Sequence, residues 1–314
     1  VLLESKYRPP RYLVGADLQT IAAHLRHVDN IDYRRERLEL ADGDFVDLDW
    51  VQQKSRRLVV IAHGMEGHSR RSYVLAMARA FSSVGWDALA WNMRACSGES
   101  NRLPGFYHAG MTADLAAIIG RVCALGQYDS IALVGFSLGG NLILKYLGEE
   151  GAALAGEVKV AATFSVPCDL AQSAAEIHRW RNRFYLRRFM RHLRAKVKDK
   201  AATMPGVIDA DGIDDIKDLY AFDGRYTAPV HGYSSAEEYW RLNSCLRYLP
   251  SIRIPALIAN AENDTFLSGA CYPQGVDLPY VHWEVPAEGG HVGFPLRHGK
   301  CWMEERALEF VEAL

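Results

Sequence analysis

The sequence predicts an α/β protein: a mostly parallel central sheet, helices on both faces, and a helical cap inserted between two strands. Three observations lead there. From Arg57 onward, short β-branched apolar runs alternate with segments of helical periodicity. The alternation stops between about Asp169 and Pro250 and then resumes. Finally, Gly135-Phe136-Ser137-Leu138-Gly139 joins a strand-like run to a helix-like one.

Ahead of the alternation, Arg37–Leu40 and Phe45–Val51 flank Ala41-Asp42-Gly43-Asp44, which predicts an antiparallel hairpin. Leu58–Ala62 is an apolar run that stops at His63-Gly64, so it reads as a buried strand. Residues 72–83 follow with Tyr73, Leu75, Met77, Ala80 and Phe81, a partly buried helix. Trp86–Trp91 is the next strand, 111–125 a helix, Ile131–Val134 a strand and 141–148 a helix. After these, Val160–Phe164, Ala256–Ala259 and Val281–Val285 read as strands, and 302–314 as an amphipathic helix.

The interruption has its own chemistry. His178–Lys200 holds ten Lys/Arg and one acid, Asp199, while Leu186, Met190, Leu193 and Val197 recur at helical spacing. Asp209, Asp211, Asp214, Asp215, Asp218 and Asp223 follow. An insertion here caps one end of the sheet. The expected division is a core of 1–168 and 251–314 with a cap of 169–250. The basic face is read as solvated and partly neutralised by the aspartates, with weak contact to an anionic lipid surface as the alternative.

Composition excludes several classes. The 314 residues carry 36 Lys+Arg against 38 Asp+Glu, so nothing favours nucleic acid. No apolar run reaches the length of a transmembrane helix, and Val1–Pro10 contains no signal-peptide core. The six cysteines are scattered without a Cys-x-x-Cys pair, which fits a reducing cytoplasm and no metal cluster. His63 and His68 flank Glu66 at a spacing that does not put two metal ligands on one helical face. The expectation is no metal, no organic cofactor and a cytoplasmic location.

The Gly-x-Ser-x-Gly turn carries the chemistry. Small residues two before and two after Ser137 let the backbone reverse sharply and expose the hydroxyl. A serine needs a general base, and the base an orienting acid, in the chain order serine, acid, histidine. Asp264 and His291 lie just beyond the C-terminal ends of two later strands, the edge on which Ser137 falls. Glu262 and Asp169 are weaker acids for the role; His282 and His298 are weaker bases. The oxyanion donors expected are the backbone N–H groups of Leu138 and of Met65, in His63-Gly64-Met65-Glu66-Gly67.

These residues resemble the α/β-hydrolase superfamily, and within it the YheT-like esterase branch. That branch includes animal α/β-hydrolase-domain phospholipases and yeast medium-chain ethyl-ester synthases/esterases. The similarity runs through Asp17–Thr20, His63–Gly67, Asn92–Glu99, Tyr107–Gly110, Gly135–Asn141, Ser165–Leu170 and Gly289–His291. It implies Ser137, Asp264 and His291 as a triad, in agreement with the chemical reading. The pattern departs at Asp17, at Ala95 where glycine is usual, and at Thr265 where proline is usual. Arg94, Glu99 and His108 are read as braces of the loops around the nucleophile, with substrate contact as the alternative. Trp180, Phe184, Tyr185 and Phe189 are equally candidates for an acyl site and for the cap's own core.

The expected activity is hydrolysis of carboxylic esters through an acyl-enzyme. The resemblance implies short or medium acyl chains or lipids as substrates. Transfer of the acyl group to an alcohol is the alternative, and a non-catalytic binding protein the least favoured reading.

Overall fold

The computed structural model describes residues 1–313. Nine strands form one sheet: β1 (Leu2–Leu3), β2 (Arg34–Glu39), β3 (Phe45–Val51), β4 (Arg57–Ala62), β5 (Asp87–Asn92), β6 (Ser130–Phe136), β7 (Val158–Phe164), β8 (Ala256–Ala259) and β9 (Val281–Glu284). Their order is β1-β9-β8-β7-β6-β4-β5-β3-β2. β3 pairs antiparallel with β2 and β5, and every other pairing is parallel. The Asp-Gly hairpin forms as expected: Leu40 N–H donates to Asp44 O across the turn, and Gly43 sits at φ 86°.

The period-two alternation of β4 explains the two layers. Leu58, Val60 and Ala62 face one apolar cluster with α3 (Thr112–Cys123) and α4 (Leu138–Glu150). Val59 and Ile61 face the other, with α2 (Ser72–Ser83) and α10 (Trp302–Glu312). Both faces are covered, which is why these parallel strands are almost uniformly buried rather than alternating in polarity. The strand order reverses at β4: β5 lies on one side of it and β6 on the other. The crevice beyond the C-terminal ends of β4 and β6 is therefore the place where such a sheet holds a ligand.

Between β7 and β8 the chain builds α5 (Leu170–His178), α6 (Arg183–Thr203), α7 (Leu219–Phe222), a π turn (Asp223–Thr227), α8 (Ala228–Val230) and α9 (Ala236–Asn243). On α6 the buried residues are Leu186, Met190, Leu193, Val197 and Lys200. The first four are the stripe that the helical spacing picks out. They pack with Ile177, Ile213, Phe222, Tyr226 and Phe266, the last from the loop after β8. The Lys200 ammonium, although buried, donates to the carbonyls of Asn101 and Leu103.

The N-terminal segment is where periodicity said least. β1 is two residues long and pairs with β9, and α1 (Ala16–Leu25) leaves Leu18 and Leu25 exposed. The strand is too short to read, and the helix buries Gln19 and Ala23 rather than an apolar stripe. The helix after the serine begins at Leu138, not Asn141, because the chain turns into it directly from the nucleophile. No described helix is long and apolar enough to cross a membrane.

Candidate active site

Ser137 closes β6 at φ 51° and ψ −121°, a strained conformation for a residue with a side chain. Close approach explains the flanking glycines. A Cβ on Gly135 would lie 2.7 Å from Gly140 Cα, and one on Gly139 would lie 2.5 Å from the carbonyl oxygens of Ala62 and His63. The turn is thus wedged between β4 and the start of α4, and no larger residue fits at either position.

The three residues expected to act together form one hydrogen-bonded chain. His291 Nε2 is 2.9 Å from Ser137 Oγ, and His291 Nδ1 is 2.8 Å from Asp264 Oδ2. The buried Asp264 accepts at Nδ1, so the ring proton belongs there and Nε2 is free to accept the serine proton. Asp264 Oδ1 also accepts from Phe266 N–H at 2.9 Å. The Phe266 ring stacks on the imidazole with 4.2 Å between centroids.

The competing candidates lie elsewhere. Asp169 caps α5, accepting from Gln172 N–H. His282 is inside β9 with its ring against Phe310, and His298 is on an exposed turn.

The loop after β4 singles out Met65. Gly64 N–H donates to Tyr73 Oη, Glu66 N–H to Tyr107 Oη, and Gly67 N–H to Gly64 O. Among the described residues, Met65 N–H and Leu138 N–H have no hydrogen-bond acceptor, and both residues line a cavity with Ser137. His63 lies beneath the loop, donating from Nδ1 to Gly64 O while Nε2 accepts from Met93 N–H. Burial pushes its pKa down to about 3, so it stays neutral and serves as a brace.

Several positioning residues had no role in the sequence reading. Thr20 Oγ1 accepts from His291 N–H at 2.9 Å. Gln19 Oε1 accepts from Gly289 N–H and Asn263 Nδ2, and Asn263 Oδ1 accepts from Gly290 N–H. The Leu-Gln-Thr motif of α1 therefore holds the histidine loop. Ser165, at φ 52°, accepts from Val292 N–H. From the cap, Lys196 Nζ reaches Glu66 Oε1 at 2.9 Å, where Tyr107 Oη also donates.

Arg94 is a brace: it pairs with Asp114, Asp42 and Asp44. Glu99 pairs with Arg37 at the surface. His108 is different. It lines the cavity beside Ser137, its ring tilted against that of His231 with 4.3 Å between centroids, and burial keeps its pKa well below the ordinary value.

Two spaces meet at Ser137, Met65 and Ile177. One runs under the cap between Phe106, Leu193, Leu219, Phe222 and Trp240 and includes Leu138. The other includes His291, Thr20, Arg71, Arg188 and Phe266. Of the four cap aromatics, Phe184, Tyr185 and Phe189 line this second space, and Trp180 is 87 % exposed. The first cavity takes Leu193 from the basic helix and draws further on α7, α9 and Phe106, which the spacing of that helix could not indicate.

Residues 57–297 match the family model described as the alpha/beta hydrolase fold. The chain is 33 % identical to YheT of Escherichia coli, over 98 % of this chain and 93 % of that one. It is 31 % identical to a phospholipase of Mus musculus, ABHD3, over 90 % of this chain and 72 % of that one. It is 29 % identical to a monoacylglycerol lipase of Saccharomyces cerevisiae, over 82 % of this chain and 59 % of that one. Among solved structures, the esterase Pf2001 of Pyrococcus furiosus superposes with a TM-score of 0.61 at 18 % identity, covering 99 % of both chains, a likeness of fold. With its sheet order, its strained serine turn and these relatives, the chain belongs to the α/β-hydrolase family and is a hydrolase.

Proposed function

We propose that the protein hydrolyses carboxylic esters through an acyl-enzyme on Ser137. The observation that carries this is the chain Ser137–His291–Asp264, placed where an apolar cavity and two unengaged N–H groups converge. Ser137 Oγ attacks the acyl carbon as its proton passes to His291 Nε2. Asp264 holds the imidazole by Nδ1 and stabilises the imidazolium that forms. The carbonyl oxygen, now an oxyanion, is received by Met65 and Leu138 N–H. The intermediate collapses, the C–O bond to the alcohol breaks, and the alcohol oxygen takes the proton from Nε2. Water repeats the sequence on the acyl-enzyme and releases the acid.

This proton path assigns the two spaces. The leaving oxygen must sit within reach of Nε2, so the space that His291 lines takes the alcohol. The space lined by Leu138 and the cap's apolar side chains takes the acyl chain. Short and medium acyl chains and lipids are the substrates proposed.

Turnover of a p-nitrophenyl ester series from acetyl to palmitoyl tests the reading. Wild type is expected to be active with an optimum at intermediate chain length. Ser137→Ala is expected to lose about 10⁴-fold or more in kcat while remaining folded. Equal turnover by the two proteins would overturn it.

A further inference from the structure

The alcohol-side space holds two guanidinium groups without an acidic partner. Arg71, just before α2, and Arg188, on α6, both line it, and among the described residues neither makes a salt bridge. Arg71 gives one hydrogen bond, to Glu66 O at 2.8 Å, and Arg188 one, to His24 Nε2 at 3.2 Å. Each guanidinium has five N–H donors, so most remain unengaged by protein.

The surrounding carboxylates are already committed. Glu66 receives Lys196 and Tyr107, Asp264 receives His291, and Asp17 receives Tyr185 Oη. The other titratable groups facing the space add no negative charge. His24 accepts from Arg188, and burial together with Arg188 and Arg71 lowers its pKa. Burial also lowers that of His192. Two half-buried like charges facing one space, with no counter-ion, are unfavourable unless a ligand supplies the opposite charge. Consistent with this, burial and the nearby Arg71 and Arg191 push the Arg188 pKa down.

We infer that Arg71 and Arg188 form an anion subsite for the alcohol part of the substrate, so that the preferred ester carries a phosphate or a carboxylate on its leaving side. The inference rests on the assignment of this space to the alcohol. The planar guanidinium fork matches either oxyanion bidentately. The subsite sets specificity, because a neutral alcohol leaves both arginines unanswered.

The test compares octanoyl esters of glycerol, glycerol phosphate and lactate, with p-nitrophenyl octanoate as a report on catalysis alone. In wild type, at least one anionic ester is expected to exceed the glycerol ester in kcat/KM by roughly 10–100-fold, mostly through KM. The phosphate arm and the lactate arm show which oxyanion is preferred. Arg71→Gln and Arg188→Gln are expected to collapse the anionic-to-neutral ratio towards one, and Arg188→Lys to retain part of it. A neutral ester equal to or better than both anionic ones in wild type, a result that needs no variant, would overturn the subsite. So would a ratio that neither glutamine variant changes. If wild type fails on the p-nitrophenyl ester, the catalytic reading fails by itself. The subsite is then judged by calorimetry of glycerol phosphate and lactate with Ser137→Ala: saturable binding that Arg188→Gln abolishes supports it, and no binding overturns it.

Discussion

Ala95 shows how a single position registers backbone geometry. It is held at φ 58°, in the left-handed region that a Cβ disfavours and that glycine adopts freely. Ala95→Gly relieves that strain at the cost of a more flexible unfolded chain, a net gain of about 0.5–1 kcal/mol. Thermal unfolding should show a rise of about 1–2 °C for a chain this long, and a fall would contradict the strain argument. The other two departures found local partners: Asp17 accepts from Tyr185 Oη, and Thr265 bonds Asn182 at the start of the cap. At the acid, Asp264→Asn should leave the fold intact but reverse the imidazole tautomer, lowering kcat by about 10⁴. The meeting of Ser137, Asp264 and His291 at one sheet edge was legible because each follows a strand whose apolar run ends abruptly. Gln19 and Thr20 were not, since their contribution is a pair of hydrogen bonds to backbone some 270 residues away.

At the scale of elements, α6 and the loop after β4 are joined by one ion pair. Lys196 on α6 contacts Glu66, which is at φ 55° one residue after Met65, and the Lys196 ammonium lies 4.7 Å from the centre of the Tyr107 ring. Both partners are largely buried, and burial alone would lower the Lys196 pKa; Cys96 and Glu66 hold it above its ordinary value. On the proposed mechanism, this pair fixes the residue that follows the oxyanion donor Met65. Lys196→Met should therefore lower kcat about tenfold or more with a smaller change in KM, since the donor acts on the transition state. A change confined to KM would instead make Lys196 a wall of the cavity. The apolar stripe of α6 was legible from spacing because its core contacts recur every turn. The broken path from α7 through the π turn to α8 was not, because these pieces are too short for a period to show. Their placement depends on tertiary packing against α9 and Phe266.

For the molecule as a whole, the apolar cavity proposed for the acyl chain is lined by one strongly displaced acid. Asp223, at the start of the π turn, accepts from Thr227 Oγ1 at 2.6 Å and Trp240 Nε1 at 2.8 Å, with no cation beside it. Burial is the larger effect and raises its pKa from 3.8 to about 6. The sign for stability follows from linkage. Below about 4 the carboxyl is protonated folded or unfolded, so it costs nothing. As pH rises from 3.8 towards 6, the unfolded chain ionises first and the folded state loses stability. Above 6 the loss is complete, of order 3 kcal/mol at most. Asp223→Asn removes this titration while keeping an acceptor for one of the two donors. The stability of the variant relative to wild type should therefore improve between pH 4 and pH 8, by an amount worth about 2–4 °C in melting temperature. Taking the difference between the two proteins cancels every other titrating group. The same charge faces the proposed acyl chain, so wild-type KM for a long-chain ester should rise as pH passes 6, and that of the variant should not. A melting difference independent of pH would mean that Asp223 is solvated in the folded state, and the acyl compartment would then be wetter than its apolar walls imply.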